Sequence, residues 1–161
     1  VVCLTHVNHA ATENIQNIYA RIKAVKPHMV VAETMHVPCV LFDSIRQEDR
    51  PLTALAGKAV IAFCGIGFGL GFKKTLEDLD ANIVHFVEYA DHEHYGRAHI
   101  RALQQKAQSC SDVVFVTTEK DYMRAPDILR EQLSVMVLKM AIKITKGKEA
   151  LDECLACLWN S

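Results

Sequence analysis

The sequence has no apolar run long enough to cross a bilayer and no strong excess of charge of either sign. A membrane-spanning helix needs about 18 or more apolar residues in succession, whereas the candidate run from Val135 to Ile144 is interrupted by Lys139 and Lys143. Lysine and arginine total 18, and aspartate and glutamate total 19, so no basic surface for nucleic acid is indicated. Because half of its residues are apolar, the chain is expected to be a soluble globular protein with no nucleic-acid partner.

Signals typical of secreted or zinc-binding proteins are also missing. Val1 to Thr5 reads as a buried strand without an initiator methionine or a signal peptide, which predicts a chain cut from a longer protein. Cys154 and Cys157 form a CxxC pair, but no second pair is present to complete a zinc site. Three other cysteines lie in apolar runs, as reduced cysteines of cytoplasmic proteins do: Cys3, Cys39 and Cys64.

Apolar runs rich in valine and isoleucine alternate with longer amphipathic stretches. This alternation predicts a three-layer α/β sandwich with a mainly parallel, Rossmann-like sheet. In the helix predicted over Thr12–Val25, apolar residues recur at helical spacing and Thr12 is a plausible N-cap. The other predicted helices are Gly71–Leu79, Arg97–Gln108 and Lys148–Leu158, and the predicted strands are Val1–Leu4, Met29–Ala32, Pro38–Phe42, Ala59–Phe63, Ile83–Val87, Val113–Val116 and Val135–Ile144.

The first third of the chain is expected to be organised separately. Met29 to Asp43 is interpreted as two short strands that turn at Glu33 to His36 and reach away from the main unit. Ser44 to Gly57 is polar and ends in glycine, so it is predicted to be a linker or surface loop. We therefore expect residues 1–50 to be a lobe remnant with a β-hairpin linker, and residues 51–161 to be an α/β lobe.

Glycines at positions 65, 67, 69 and 71 lie between a predicted strand and a predicted helix. Backbone N–H groups at such a turn can approach an anion closely. The dinucleotide-binding pattern GxGxxG would need a glycine where Leu70 stands. The Walker A pattern GxxxxGK[ST] would need a glycine directly before Lys74 and Thr75, where Lys73 stands. The segment therefore matches neither pattern. A purely structural tight turn is the alternative. Gly65 and Gly67 are the candidate cleft residues of this turn.

Ionisable side chains follow the next predicted strand. Asp91 beside His92 offers an orienting carboxylate and a proton carrier that titrates near neutrality, and loops after parallel strands line the ligand crevice. The alternative is that Asp91 caps a helix while His92 is merely solvated. His92 and His94, with His99 or His85, form a weaker zinc candidate, since no third ligand stands at a defined spacing.

A third polar cluster ends the strand predicted at Val113–Val116. Its hydroxyl groups, free helix N–H groups and charges of both signs suit an anionic or hydroxyl-rich ligand, although helix capping alone also explains threonine at this position. The candidate residues are Thr117, Thr118, Glu119, Lys120 and Asp121.

Taken in order, these clusters resemble the carboxy-terminal region of tetraacyldisaccharide 4'-kinases, the lipid A 4'-kinases. The matching segments are Phe63–Gly67, Phe72–Leu76, Asp91–Tyr95 and Val116–Arg124. The sequence departs from the family pattern where His6 replaces a lysine, where Phe68-Gly69 replaces asparagine-proline, at Glu93 in place of a second histidine, and at Ala125 in place of leucine.

The resemblance implies transfer of the ATP γ-phosphoryl group, with Mg²⁺, to the 4'-hydroxyl of a tetraacyldisaccharide 1-phosphate at the cytoplasmic face of the bacterial inner membrane. In the family, the Walker A loop and the principal catalytic aspartates precede the matched region, and lipid docking is expected to reside there too. His92 matches a histidine that supports the catalytic aspartate. We expect this chain alone to be inactive. The alternatives are a non-catalytic α/β binding module derived from the family and, less favoured, a zinc-dependent hydrolase.

Overall fold

A computed structural model describes residues 1–125 and 127–159. Its contacts divide the chain into two compact units, one made of residues 1–37 with the described residues from 141 onward, and the other of Pro38–Met140. The predicted division after residue 50 stays a prediction. The strands are β1 (Val2–Leu4), β2 (Val31–Asp43), β3 (Glu48–Arg50), β4 (Ala59–Cys64), β5 (Asn82–Glu88), β6 (Val114–Thr118) and β7 (Val135–Lys146), and the α-helices are α1 (Thr12–Val25), α2 (Gly69–Asp78), α3 (Arg97–Gln108), α4 (Glu119–Arg124), α5 (Asp127–Gln132) and α6 (Lys148–Trp159). None of the described helices is long and apolar enough to span a membrane.

The sheet of the second unit is built around β4. This strand pairs in parallel with β5 on one side and β6 on the other, and β6 pairs in parallel with the first part of β7. Five of the six β4 residues are buried, since a central strand covered on both faces needs apolar side chains at every position. The predicted mainly parallel sheet is confirmed.

Helices cover both faces of this sheet. Ile61 and Phe63 of β4 belong to one apolar cluster together with Ile100 of α3. Their neighbours along the strand point the other way, because successive strand residues face opposite sides, and Ala62 packs in a second cluster with Leu76 of α2. Two separate cores on opposite faces give the three-layer arrangement that the sequence predicted.

The interpretation of Met29 to Asp43 as a self-paired hairpin is wrong. Residues 31–43, all described, form the single strand β2. Thr34, within the expected turn, is buried, and its hydroxyl donates at 3.4 Å to the carbonyl of Leu4 in the neighbouring strand β1. β2 instead neighbours β7.

A tight hairpin does occur one step later in the chain. Strand β3 pairs antiparallel with the end of β2, with Leu41 opposite Arg50. At the turn the Asp43 carboxylate accepts the N–H groups of Ile45 and Arg46, both at 3.0 Å, and Gln47 adopts φ 55°. The loop predicted from Ser44 to Gly57 therefore contains a strand, because the Asp43 side chain stabilises the reversal.

In the first unit, β1 pairs in parallel with the start of β2. Helix α1 has the predicted bounds, but Ala11 rather than Thr12 occupies its N-cap position. The Tyr19 hydroxyl of α1 donates to the Glu33 carboxylate at 2.7 Å. The Lys146 ammonium lies 3.4 Å from the same carboxylate.

Candidate active site at the carboxyl edge of the sheet

Three polar turns meet at one edge of the second unit. They follow β4, β5 and β6, which run parallel and therefore end on the same side. The Gly65 N–H donates to Asp121 at 3.1 Å, across 56 residues of chain, and Arg124 reaches His92 at 2.7 Å. The structure thus brings together turns that the sequence predicted to share an edge.

Asp121 is the buried centre of this arrangement, with no exposed surface. Its Oδ1 accepts the Gly65 N–H and an Arg124 Nη2–H at 2.8 Å, and its Oδ2 accepts the Thr118 hydroxyl at 2.6 Å. A buried carboxylate is stable only when it is paired and hydrogen-bonded. Asp121 therefore holds the β4 and β6 turns together rather than facing an open cleft.

Arg124 connects the buried centre to the surface. Its Nη2 donates to the Gly65 carbonyl at 2.9 Å as well as to Asp121, while its Nη1 lies 2.7 Å from His92 Nδ1. The matched segment included Arg124, but the sequence did not assign it a function. The available signal was the spacing of Asp121 and Arg124, which places them as an i,i+3 pair on one helix face.

Asp91 and His92 are accessible, with side chains 46% and 68% exposed. His92 adopts φ 64°, and its N–H donates to the Gly65 carbonyl at 3.2 Å. His92 Nε2 lies 3.7 Å from Asp91 Oδ2. The candidate proton carrier and its carboxylate are therefore adjacent and open to a ligand.

The glycine turn is partly committed to internal contacts. Both the N–H and the carbonyl of Gly65 are hydrogen-bonded, and a Cβ at this position would lie 2.9 Å from the Ala90 carbonyl oxygen. Gly67 is exposed, and a Cβ there would lie 3.5 Å from Asp91 Oδ2. Close approach between two turns explains glycine at position 65, while Gly67 borders the accessible pair.

Neighbouring residues of the third turn have different environments. The Thr117 hydroxyl is fully buried and donates to the Phe63 carbonyl at 2.8 Å. Thr118 is the N-cap of α4, where its hydroxyl oxygen accepts the Asp121 N–H at 3.1 Å. Glu119 and Lys120 are exposed. The capping interpretation is confirmed for Thr118, and the accessible charges come from Glu119 and Lys120.

Burial raises the pKa of two further titratable side chains beneath this edge. It raises the pKa of the Cys64 thiol to about 12, with the negative charges of Asp121 and Glu88 acting in the same direction. Burial, followed by the Asp121 charge, also raises the pKa of the Tyr95 phenol. Cys64 therefore stays a thiol at neutral pH and is no nucleophile.

A metal centre is not preformed in the described part of the chain. No group of three or more histidine, cysteine, aspartate or glutamate side chains there is placed to hold a metal ion. His99, one of the candidate zinc ligands, instead accepts the Gly96 N–H at Nδ1, at 3.0 Å. Its other ring nitrogen lies 3.8 Å from the Glu93 carboxylate.

A family model described as tetraacyldisaccharide-1-P 4'-kinase matches residues 1–158. The chain belongs to this kinase family. The tetraacyldisaccharide 4'-kinase of Elusimicrobium minutum is 32% identical over 154 residues, which cover 94% of this chain and 40% of that protein. A probable mitochondrial tetraacyldisaccharide 4'-kinase of Arabidopsis thaliana is 27% identical over 154 residues, which cover 90% of this chain and 39% of that protein. The chain thus spans about two fifths of the length of these relatives.

The fold of the family is also found in a solved structure. A crystal structure of LpxK from Aquifex aeolicus, in complex with ATP, superposes with a TM-score of 0.51 and 18% sequence identity. The match covers 96% of this chain and 50% of that one. It confirms the α/β fold class.

Proposed function

We propose that this protein contributes the carboxyl edge of the active site in an ATP-dependent kinase. The kinase would phosphorylate the 4'-hydroxyl of tetraacyldisaccharide 1-phosphate, the precursor of lipid A. The observation that supports this best is the Asp91–His92 pair, which is accessible at the edge where three parallel-strand turns meet. Family membership supplies the reaction class.

His92 is proposed to support a carboxylate that activates the acceptor hydroxyl. Its Nδ1 is occupied by Arg124, so Nε2 is the ring nitrogen left to meet a carboxylate. Asp91 Oδ2 lies 3.7 Å from this nitrogen, beyond direct hydrogen-bond distance. Phosphoryl transfer relies mainly on positioning and charge stabilisation, so a fixed imidazole that orients the activating carboxylate is an effective contribution.

ATP and Mg²⁺ are proposed for the reaction as a whole, and the described residues alone fit neither group. The sequence contains no GxxxxGK[ST] loop. The Gly65 N–H and both carboxylate oxygens of Asp121 are already hydrogen-bonded. We propose that Gly67, Glu119 and Lys120 border the cleft, and that Thr117, Thr118, Gly65 and Asp121 hold its edge in shape.

The proposed location is the cytoplasmic face of the bacterial inner membrane. A tetraacylated acceptor resides in a bilayer, so the enzyme must contact its surface. We propose a peripheral contact made by parts of the protein outside this chain, with the lipid A disaccharide precursor as substrate.

The test is replacement of His92 by alanine in the full-length protein encoded by the gene. Transfer of ³²P from [γ-³²P]ATP to tetraacyldisaccharide 1-phosphate is measured together with ATP binding. We expect turnover to fall roughly 10²–10⁴-fold, the usual contribution of positioned acid–base groups, with ATP affinity retained. His94→Ala, in the same loop, is the matched control. Unchanged turnover in His92→Ala would remove His92 from the mechanism. Lipid phosphorylation by the 161-residue chain alone would contradict the expectation that this chain needs a phosphate-binding loop from elsewhere in the protein.

A further inference from the structure

The Arg124 side chain contacts all three turns of the candidate site. Nη2 donates to the Asp121 carboxylate at 2.8 Å and to the Gly65 carbonyl at 2.9 Å, and Nη1 lies 2.7 Å from His92 Nδ1. The arginine side chain is 24% exposed and the aspartate is fully buried. One guanidinium group therefore joins a buried anchor to an accessible ionisable residue of the edge.

The contact with His92 determines where the imidazole carries its proton. A guanidinium has N–H donors, no acceptor, and does not lose its proton in proteins. His92 Nδ1 must therefore accept this hydrogen bond, and the remaining proton of the neutral ring lies on Nε2. Which nitrogen is protonated is set by the partner of the other one. Nε2–H is then the group that faces Asp91 at 3.7 Å.

Both ends of this contact are fixed. Nη2 donates to two acceptors that belong to buried residues, Asp121 and Gly65, while Nη1 of the same planar guanidinium reaches His92. His92 itself is held at φ 64° by an N–H bond to the same Gly65 carbonyl. A lysine at position 124 has a single nitrogen, which cannot take the place of both Nη1 and Nη2, so the geometry depends on arginine.

We propose that Arg124 is a positioning residue that holds His92 in the Nε2–H tautomer and in one orientation. This inference rests on the proposed kinase function for its catalytic consequence. Its structural part, the tautomer, does not depend on any activity. In the other tautomer Nε2 would present a lone pair, which repels a carboxylate instead of binding it.

The first experiment measures the tautomer directly in the 161-residue protein. Long-range ¹H–¹⁵N correlation spectra are recorded at alkaline pH, where histidine is generally neutral, and the His92 signals are assigned by their loss in His92→Gln. We expect one tautomer, with an unprotonated Nδ1, in the unchanged protein. Arg124→Lys and Arg124→Met should shift both ring nitrogens toward the averaged values of exchanging tautomers. Arg101→Met, an exposed arginine of α3, is the matched control and should leave them unchanged.

The second experiment measures kinetics in the full-length protein. Arg124→Lys should lower kcat at least tenfold with little change in KM for ATP, while Arg101→Met behaves as the unchanged protein does. Circular dichroism spectra and the melting temperature of each variant show whether it is folded, and Arg124→Lys keeps the positive charge beside Asp121.

The two experiments separate the possible failures. His92 nitrogen signals that are identical in a folded Arg124→Met variant and the unchanged protein overturn the positioning inference. A shifted tautomer with unchanged kcat overturns its catalytic consequence. A shifted tautomer in a full-length protein that phosphorylates no lipid supports the Arg124 contact and overturns the kinase proposal.

Discussion

Replacing Asp121 by alanine should destabilise the second unit strongly. The carboxylate is fully buried and accepts hydrogen bonds from the Gly65 N–H, the Thr118 hydroxyl and the Arg124 guanidinium. Alanine removes the acceptor for all of these donors at once. Gly65 is buried, so its N–H would be left without its acceptor, whereas Arg124 is 24% exposed and recovers part of its solvation.

The magnitude follows from these environments. An unsatisfied buried donor costs about 1–3 kcal/mol, and a lost bond to a charged group about 1.5–3 kcal/mol. Because Thr118 is only half-buried and its hydroxyl can bond to water, we count mainly Gly65 and Arg124 and expect a loss of about 3–5 kcal/mol, as for other broken buried pairs. Asp121→Asn keeps the shape and one acceptor oxygen, so its cost should be smaller, about 1–2 kcal/mol.

Urea unfolding followed by circular dichroism measures the change in free energy, and hydrogen exchange of the β4 and β6 amides assigns it to the second unit. Asp78→Ala is the control, since the Asp78 carboxylate is exposed and pairs across one helix turn with Lys74. It should cost no more than about 0.5 kcal/mol. A loss below about 1 kcal/mol for Asp121→Ala would refute the central role of this carboxylate.

Three further predictions concern the core beneath the site. Leu76→Ala should lower the free energy of unfolding by about 2–5 kcal/mol because Leu76 is fully buried, whereas Leu70→Ala, 67% exposed, should change it by less than about 0.5 kcal/mol in urea titrations. Cys64 should resist a thiol reagent at about pH 8 while exposed Cys3 and Cys39 react. Since burial raises the pKa of Cys64 from 9.0 to about 12, the unfolded state loses this proton first, and stability should fall as the pH rises from about 9 toward about 12. Cys64→Ala should make this loss of stability with rising pH shallower. An equal slope in the variant and the unchanged protein would contradict the raised pKa of Cys64.

The parallel sheet could be predicted because its central strand is recognisable from its sequence alone. The run Ala59–Cys64 is apolar at every position, as a strand buried on both faces requires. The expected turn in β2 was wrong because three of the four residues from Glu33 to His36 are polar, yet the polar groups of Glu33 and Thr34 are satisfied by neighbouring side chains and backbone. Short elements such as β3 and α5 depend on tertiary contacts, and they contain too few residues to show hydrophobic periodicity in the sequence.

The meeting of the three turns could also be inferred, since parallel strands place their carboxyl ends at one edge. Individual side-chain roles could not. Thr117 and Thr118 are neighbours of the same type, and only the phase of the strand decides which one is buried. The contact between Arg124 and His92 depends on the left-handed backbone at His92, which the sequence does not reveal.

The bonding of Gly65 has a consequence for how this family can diverge. Its peptide groups are saturated by partners from another turn, and a side chain at this position would also press on the Ala90 carbonyl, so all three segments would be disturbed together. Phe68, three residues further along the same turn, is 49% exposed. A substitution at Gly65 is therefore expected to be far more disruptive than one at the accessible Phe68.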